Sequence, residues 1–344
     1  MDVNVYNTPR AVTMHDIARE AGVSVATVSR FINNEGAVGE EKSRRIRAAI
    51  EKFDYTPNRF AKGLKISRSM QIMLIVPDIK NPYYARLYDV LQSIAHREKY
   101  VVILYNTNES EENEFNALRL VAELGCDGVV FCSVSDGEEI LKSLQKLHRP
   151  IVSSSGFDRK LFDTVHGVKP GQGVYLGTRH LLENGHKKVA FAGGNPRSVL
   201  NDRRMSGYRR AMQEAGLPVR DGYIFSSAFS LEGGYRAGEY FAQLSERPTA
   251  IACANDMIAI GIIQYLRTVG IRVPEDISIV GMDNISMSEI VKPALTTVVN
   301  DSAEFAEKAA QLLFDRLIGG YKGEPRELFC GRTLVERDSV RRIS

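Results

Sequence analysis

The stretch between Thr13 and Asn33 constrains the fold of this chain more than any other. Thr13 stands three residues before Asp16, a spacing at which each side chain can satisfy a backbone N–H at a helix start. Ile17, Ala18 and Ala21 then form one apolar stripe at helical spacing, and Gly22 breaks it. Ser24 suits the N-cap of a second helix over Val25–Asn33. There Val28, Phe31 and Ile32 face inward, while Val25, Ala26, Thr27, Ser29 and Arg30 are left outside. Helix, tight glycine turn, helix is the helix-turn-helix arrangement, whose second helix can enter a DNA major groove. Small outward residues at the start of that helix fit this use, because Ala or Thr can touch a thymine methyl, and Arg30 can reach a guanine edge or a phosphate.

Charge supports the same direction. The net charge of the 344 residues is only +3, yet residues 1–70 hold 12 Lys+Arg against 8 Asp+Glu, while the rest hold 33 against 34. A third amphipathic helix, about 40–53, places Ile46, Ala49, Ile50 and Phe53 on one face and Lys42, Arg44, Arg45 and Arg47 on the other. A basic segment joined to a nearly neutral body is an electrostatic footprint for nucleic acid.

The segment TMHDIAREAGVSVATVSRFINN resembles the LacI/GalR family of bacterial transcription repressors. The family pattern is filled at Thr13, Asp16, Ile17, Ala18, Ala21, Gly22, Val23, Ser24, Thr27, Val28, Ser29, Arg30 and Asn33. Tyr55-x-Pro57-Asn58 resembles the family's entry to a hinge. The resemblance implies that Val25 and Ala26 choose operator bases and that Thr27, Ser29 and Arg30 contact backbone or bases. Thr13, Ser24 and Asn33 join the expected DNA-facing set.

Residues 58–68 form a short segment after Pro57. Eight or so residues cannot hold an isolated helix in water, and Gly63 weakens it further. The segment is expected to be helical only when supported. The resemblance supplies the support: paired hinge helices of a dimer in the DNA minor groove, with Asn58, Arg59 and Ala61 at the DNA and Leu64 as an apolar wedge at the central base step.

From residue 69 onward, short apolar runs alternate with helical patterns. Strands are expected at 72–76, 100–105, 128–133, 151–153, 189–193, 251–254, 277–281 and 297–299, with amphipathic stretches such as 83–97 and 113–124 between them. This predicts an α/β body of two doubly wound parallel-sheet lobes with a ligand cleft between them. The landmarks Val76-Pro77-Asp78, Asn81-Pro82-Tyr83-Tyr84, Gly185-His186, Ala254-Asn255-Asp256, Gly281-x-Asp283-Asn284 and Pro293-x-Leu295-Thr296-Thr297 resemble the family's effector domain, which is related to periplasmic binding proteins of type I. The resemblance places Asp78, Tyr84, Ser155, Arg204, Phe229, Asn255 and Asp283 at an effector. Tyr84 would be a stacking platform, Arg204 the ligand-holding arginine, Phe229 a second aromatic wall, and Asn255 and Asp283 readers of hydroxyls. Ser155 stands where relatives often carry an acid, and Val168-Lys169 replaces a common Asp-Asn pair. With Arg197, Arg203 and Arg204 nearby in sequence, this suggests a positive cleft and an anionic sugar derivative.

The expected organisation is therefore a helix-turn-helix domain at 1–57, a hinge helix at 58–68, a first lobe from 69–166 plus 298–325, and a second lobe from 167–297 plus 326–344. No run of about 18 apolar residues suggests a membrane span, and the N-terminus lacks a signal-peptide pattern. The four cysteines (Cys126, Cys132, Cys253, Cys330) make no Cys-x-x-Cys pair, so buried thiols in a reducing cytoplasm are expected. No catalytic or metal-binding motif, and no cofactor, is expected. The function implied is a homodimeric, non-enzymatic repressor of carbohydrate-metabolism genes. It would bind a pseudo-palindromic double-stranded operator under control of a sugar, sugar acid or sugar phosphate. The alternative is a global regulator using a protein coregulator or a purine-type corepressor.

Overall fold

The computed structural model describes residues 12–33, 38–55, 68–132, 137–154, 161–167, 169 and 171–343. The chain divides into two compact units between Ser69 and Met70. The first, the head, packs α1 (Met14–Ala21), α2 (Val25–Asn33) and α3 (Glu40–Lys52). Its core is small: Ile17, Ala18, Ala21, Val28, Ile46, Ala49 and Tyr55. The caps form as the spacing predicts. Thr13 N donates to Asp16 Oδ2 at 3.0 Å, and Asp16 N donates to Thr13 Oγ1 at 3.4 Å. Gly22 ends α1 in left-handed backbone (φ 61°), a conformation that costs glycine nothing. Thr27 N donates to Ser24 Oγ at 3.2 Å and starts α2.

The second unit, the body, contains two six-stranded sheets. The first runs in the order β11-β5-β4-β3-β1-β2, from β1 (Gln71–Val76), β2 (Val101–Asn106), β3 (Gly128–Phe131), β4 (Ile151–Ser153), β5 (Asp163–Gly167) and β11 (Glu327–Cys330), all parallel. In β1, Ile72, Leu74 and Val76 pack toward α4 (Pro82–Arg97) and α12 (Ser302–Leu317), while Met73 and Ile75 pack toward α5 (Glu111–Glu123) and α6 (Glu138–Lys146). A strand buried on both faces has to be apolar throughout, which is why the run Ile-Met-Leu-Ile-Val shows no alternation.

The second sheet runs β12-β10-β9-β8-β6-β7, from β6 (Val189–Gly193), β7 (Ile224–Ser226), β8 (Ala250–Cys253), β9 (Ser278–Asp283), β10 (Thr296–Val299) and β12 (Leu334–Val335); only β12 is antiparallel. Helices α7 (Gln172–Glu183), α8 (Val199–Glu214), α9 (Leu231–Gln243) and α10 (Asp256–Thr268) accompany it, and the short α11 (Met287–Ile290) follows β9. The chain passes between the sheets three times: after β5, after β10 and after β11.

These pairings correct the expected lobe boundaries. Thr296–Val299 lies wholly in the second sheet beside β9, so the return to the first lobe comes after 299, not at 298. Residues 327–330 extend the first sheet beside β5 and do not belong to the second lobe. The four-residue segment Glu-Leu-Phe-Cys carries little periodic signal of its own. It becomes a strand because β5 offers a free edge and because Asp163 anchors its approach, accepting Arg326 N at 2.8 Å.

Candidate nucleic-acid interface and ligand cleft

On α2, Ala26 and Arg30 are exposed, while Val25, Thr27 and Ser29 are half-buried. Val28 is fully buried, and Phe31 and Ile32 pack on the head core. Ala26 and Arg30 lie outward as their spacing predicts, whereas Val25, expected outside, is half-buried and packs on the head core as Phe31 and Ile32 do, because the first turn of α2 lies against that core. The outer face is built of short side chains, so another surface can approach the helix closely. Arg30 Nε rests on Ala26 O at 3.4 Å, leaving most of its donors directed to solvent. On α3, Lys42, Arg44, Arg45 and Arg47 are exposed, and Arg47 lies 5.7 Å from the Phe31 ring centroid. Lys52 and Glu20 pair at 2.7 Å across α3 and α1. Thr13 caps α1. Asn33 closes α2. The expected hinge residues Asn58, Arg59, Ala61 and Leu64 lie outside the described residues, as does Ser155 of the expected cleft.

In the body, the C-terminal ends of the strands of both sheets supply one cluster. Arg204, from α8, is its centre and is only 8% exposed. Arg204 Nη1 donates to Ala254 O at 2.7 Å, Nη2 stands 3.8 Å from Asp283 Oδ1, and the guanidinium lies 5.1 Å from the Phe229 ring centroid. Its buried Nε has no hydrogen-bond partner. An unmet donor in a buried guanidinium is costly unless something arrives to accept from it.

Asp283 ends β9 with φ 118° and accepts Asn300 Nδ2 at 3.0 Å. Burial pushes its carboxyl up, against the opposing pull of Arg204, Asn300, Arg332 and Asn81. Phe229 is held by three neighbours. Its ring covers Gly194, where a Cβ would sit 2.4 Å from ring carbons, so glycine is needed there. Its carbonyl accepts Asn255 Nδ2 at 3.2 Å, and its N–H donates to Glu109 Oε1 at 3.2 Å. Asn255 was expected to read hydroxyls; its Oδ1 instead caps α10, accepting Ile258 N at 2.9 Å, and its amide secures Phe229. It positions the wall.

From the first lobe, Asn81 caps α4, accepting Tyr83 N at 3.0 Å. This aims Tyr83 and Tyr84, whose rings meet edge to face at 5.1 Å. Burial raises the Tyr84 hydroxyl well above its ordinary range, and both Arg204 and Asp283 influence it. Tyr84 therefore faces the same charged centre as Phe229. Asp78 is half-buried and accepts Lys80 N at 3.0 Å.

Sequence reasoning missed Glu109, Asn195 and Asp256. Glu109 sits in an acidic run that reads as a solvated helix start. Asp256 is buried behind the cluster, accepting Thr297 Oγ1 at 2.6 Å and Ile285 N at 2.9 Å. Burial, then the charge of Asp283, pushes its carboxyl up to about 7. Lys169 and Arg197, expected to make the cleft positive, are solvent-exposed. All four cysteines are buried and free; burial pushes the Cys132 thiol up to about 12, which suits packing and not reactivity. His186 is structural, its ring nitrogens 3.1 Å from Thr249 Oγ1 and 3.1 Å from Arg341 O. Among the described residues no helix is long and apolar enough to cross a membrane.

Residues 13–58 match the lacI family of bacterial regulatory proteins, and residues 178–340 match a periplasmic binding protein-like domain. Catabolite control protein A of Priestia megaterium is 34% identical over 303 residues, spanning 88% of this chain and 91% of that protein. The HTH-type transcriptional repressor PurR of Mannheimia succiniciproducens is 33% identical over 336 residues, spanning 96% and 99%. The crystal structure of the lac repressor dimer bound to operator and the anti-inducer ONPF shares the fold, with a TM-score of 0.84 at 23% identity over 96% of this chain and 100% of that one. A capped helix-turn-helix head, a two-sheet body and relatives of nearly full length agree: this chain belongs to the LacI family of bacterial regulatory proteins, non-enzymatic DNA-binding regulators of transcription.

Proposed function

We propose that this regulator is a homodimeric, cytoplasmic repressor whose hold on a pseudo-palindromic operator is controlled by a small polyhydroxylated effector between the two lobes. The observation that carries the effector half is Arg204, buried between Asp283 and Phe229 with an unmet Nε donor. A carboxylate, a guanidinium and two aromatic walls suit a sugar-like ligand. Directional hydroxyls pair with the charged groups, and the apolar ring faces lie on Phe229 and Tyr84. The DNA half rests on the exposed face of α2 and the basic face of α3, with Val25, Ala26 and Arg30 at the bases. Leu64 of the segment 58–68 acts as the minor-groove wedge. Dimerisation is supported by the fold shared along almost the whole chain with the lac repressor, which is a dimer on its operator.

Two measurements test this. Selection of bound duplexes from a random pool should return an inverted repeat; a half-site without its mirror would overturn the dimer reading. Thermal unfolding against a panel of sugars should give a hit that Arg204→Ala weakens by about 10- to 100-fold while operator affinity without ligand stays the same. A hit indifferent to Arg204 would move the effector out of the cleft. Coupling between effector and operator is reciprocal and on the order of 1–3 kcal/mol.

A further inference from the structure

Glu109 stands on the first lobe but is bonded to the second. Its loop is preset for this. Asn108 and Glu109 both take left-handed backbone (φ 53° and 56°), and Glu109 N donates to Pro77 O at 3.0 Å. A non-glycine residue adopts that backbone at a cost. The carboxylate then spans the cleft, with Oε1 accepting Phe229 N–H at 3.2 Å and the Asn195 side chain bonding it as well. Asp78 and Arg204 are its charged neighbours. Around Arg204, then, stand two carboxylates, Asp283 at 3.8 Å and Glu109, with Asp78 beside Glu109, and the guanidinium already donates to Ala254 O.

We propose that Glu109 sets the charge class of the effector: it fills the place an acidic group of the ligand would take, so the cleft admits neutral polyols and rejects carboxylates and phosphates. The inference rests on the cleft being the effector site. A neutral hydroxyl can donate to Glu109, Asp78 or Asp283 and accept from Arg204 Nε. An anion can only accept. It would have to share Arg204 with Asp283 and Glu109 and displace Glu109 from the Phe229 N–H, beside a guanidinium and a carboxylate that are both buried.

Inorganic phosphate is the probe. Unfolding of the full-length protein is followed in phosphate and in chloride at matched ionic strength, for wild type, Glu109→Gln and the double variant Glu109→Gln/Arg204→Met. Phosphate is excluded from protein surfaces and stabilises any fold somewhat, so wild type should show only this general rise over chloride. Glu109→Gln should gain a further phosphate-dependent rise of about 2 °C or more beyond it, and the double variant should fall back to the wild-type difference. An Arg204-dependent rise already present in wild type, no gain in Glu109→Gln, or a gain that survives loss of Arg204 would each overturn the proposal. Hydrogen–deuterium exchange adds a readout that needs no ligand. The Phe229 amide should exchange at least tenfold faster in Glu109→Ala than in wild type, and equal rates would refute the cross-lobe bond. Failure of the effector reading itself looks different: no sugar in the panel would give an Arg204-dependent response, whatever the two salts do.

Discussion

In the head, the residues expected at DNA, Val25, Ala26, Thr27, Ser29 and Arg30, are neighbours in one nine-residue helix, with Ala26 and Arg30 exposed. In the body, the residues around Arg204 come from positions 84 to 283, and the chain passes three times between the two sheets. A face carried on one helix needs only that helix to form and to bury its other side. A cleft needs two sheets to be complete before any part of it exists. The cores differ accordingly. The head packs seven buried residues, whereas the body packs three larger clusters. A domain with so small a core has little stability to spare.

That contrast can be broken or sharpened by substitution. The largest effect is expected from Ile46→Ala, at a fully buried site of the head. A loss of about 2–5 kcal/mol is comparable to the whole stability of a domain this small. Operator binding and the helical signal of the head should disappear while the unfolding midpoint of the body stays put; a body that melts earlier would mean that the two units are not independent.

Next comes Asp163→Asn, in the body. Asp163 is buried and accepts Arg316 Nε at 2.6 Å, Arg316 Nη2 at 2.8 Å and Arg326 N at 2.8 Å, tying β5 to α12 and to the approach of β11. Losing its charge should cost about 2 kcal/mol. Burial alone would raise this carboxyl, but the Arg316 bond, the Arg326 N–H and the two guanidinium charges outweigh it and leave it lowered. Because the folded value lies below the unfolded one of about 3.9, the contribution is full above that pH and fades as the pH falls through the folded value. Urea titrations at pH 7 and through the acid range should show the wild-type advantage shrinking toward Asp163→Asn. A gap that stays constant to pH 2 would contradict this origin.

The smallest effect belongs to Ser24→Ala, which removes the acceptor for Thr27 N. About 1 kcal/mol is expected from the head alone. Operator affinity should fall slightly, in step with the fraction of head unfolded, and sequence preference should be unchanged. A changed preference would make Ser24 a base reader and not a cap.

The head was legible almost residue by residue. The capping pair Thr13–Asp16, the Gly22 break and the bounds of α2 all follow from spacings of a few residues. Eight strands of the body were legible from apolar runs, with ends displaced by one or two residues. The strands β5, β7, β11 and β12 were not, because they are short or polar and owe their form to the strand beside them. In the cleft, Arg204, Phe229 and Asp283 come together as the resemblance implied. Asn255 turned out to be a cap, and Glu109 was unforeseen, because nothing local distinguishes it from the acids that follow.

The sequence by itself determined which segments become helices and buried strands, that the first fifth is basic, and which face of α2 is free. Those properties depend on neighbours within about one or two helical turns, or on alternation along a strand. Only the tertiary structure decided which carboxylates share Arg204, which amide Glu109 reaches, and that Lys169 and Arg197 stay in solvent. Charges and hydrogen bonds act over a few ångströms, and the residues that meet at this cleft are up to two hundred positions apart, so their pairing is fixed by the crossings of the chain and by no local pattern.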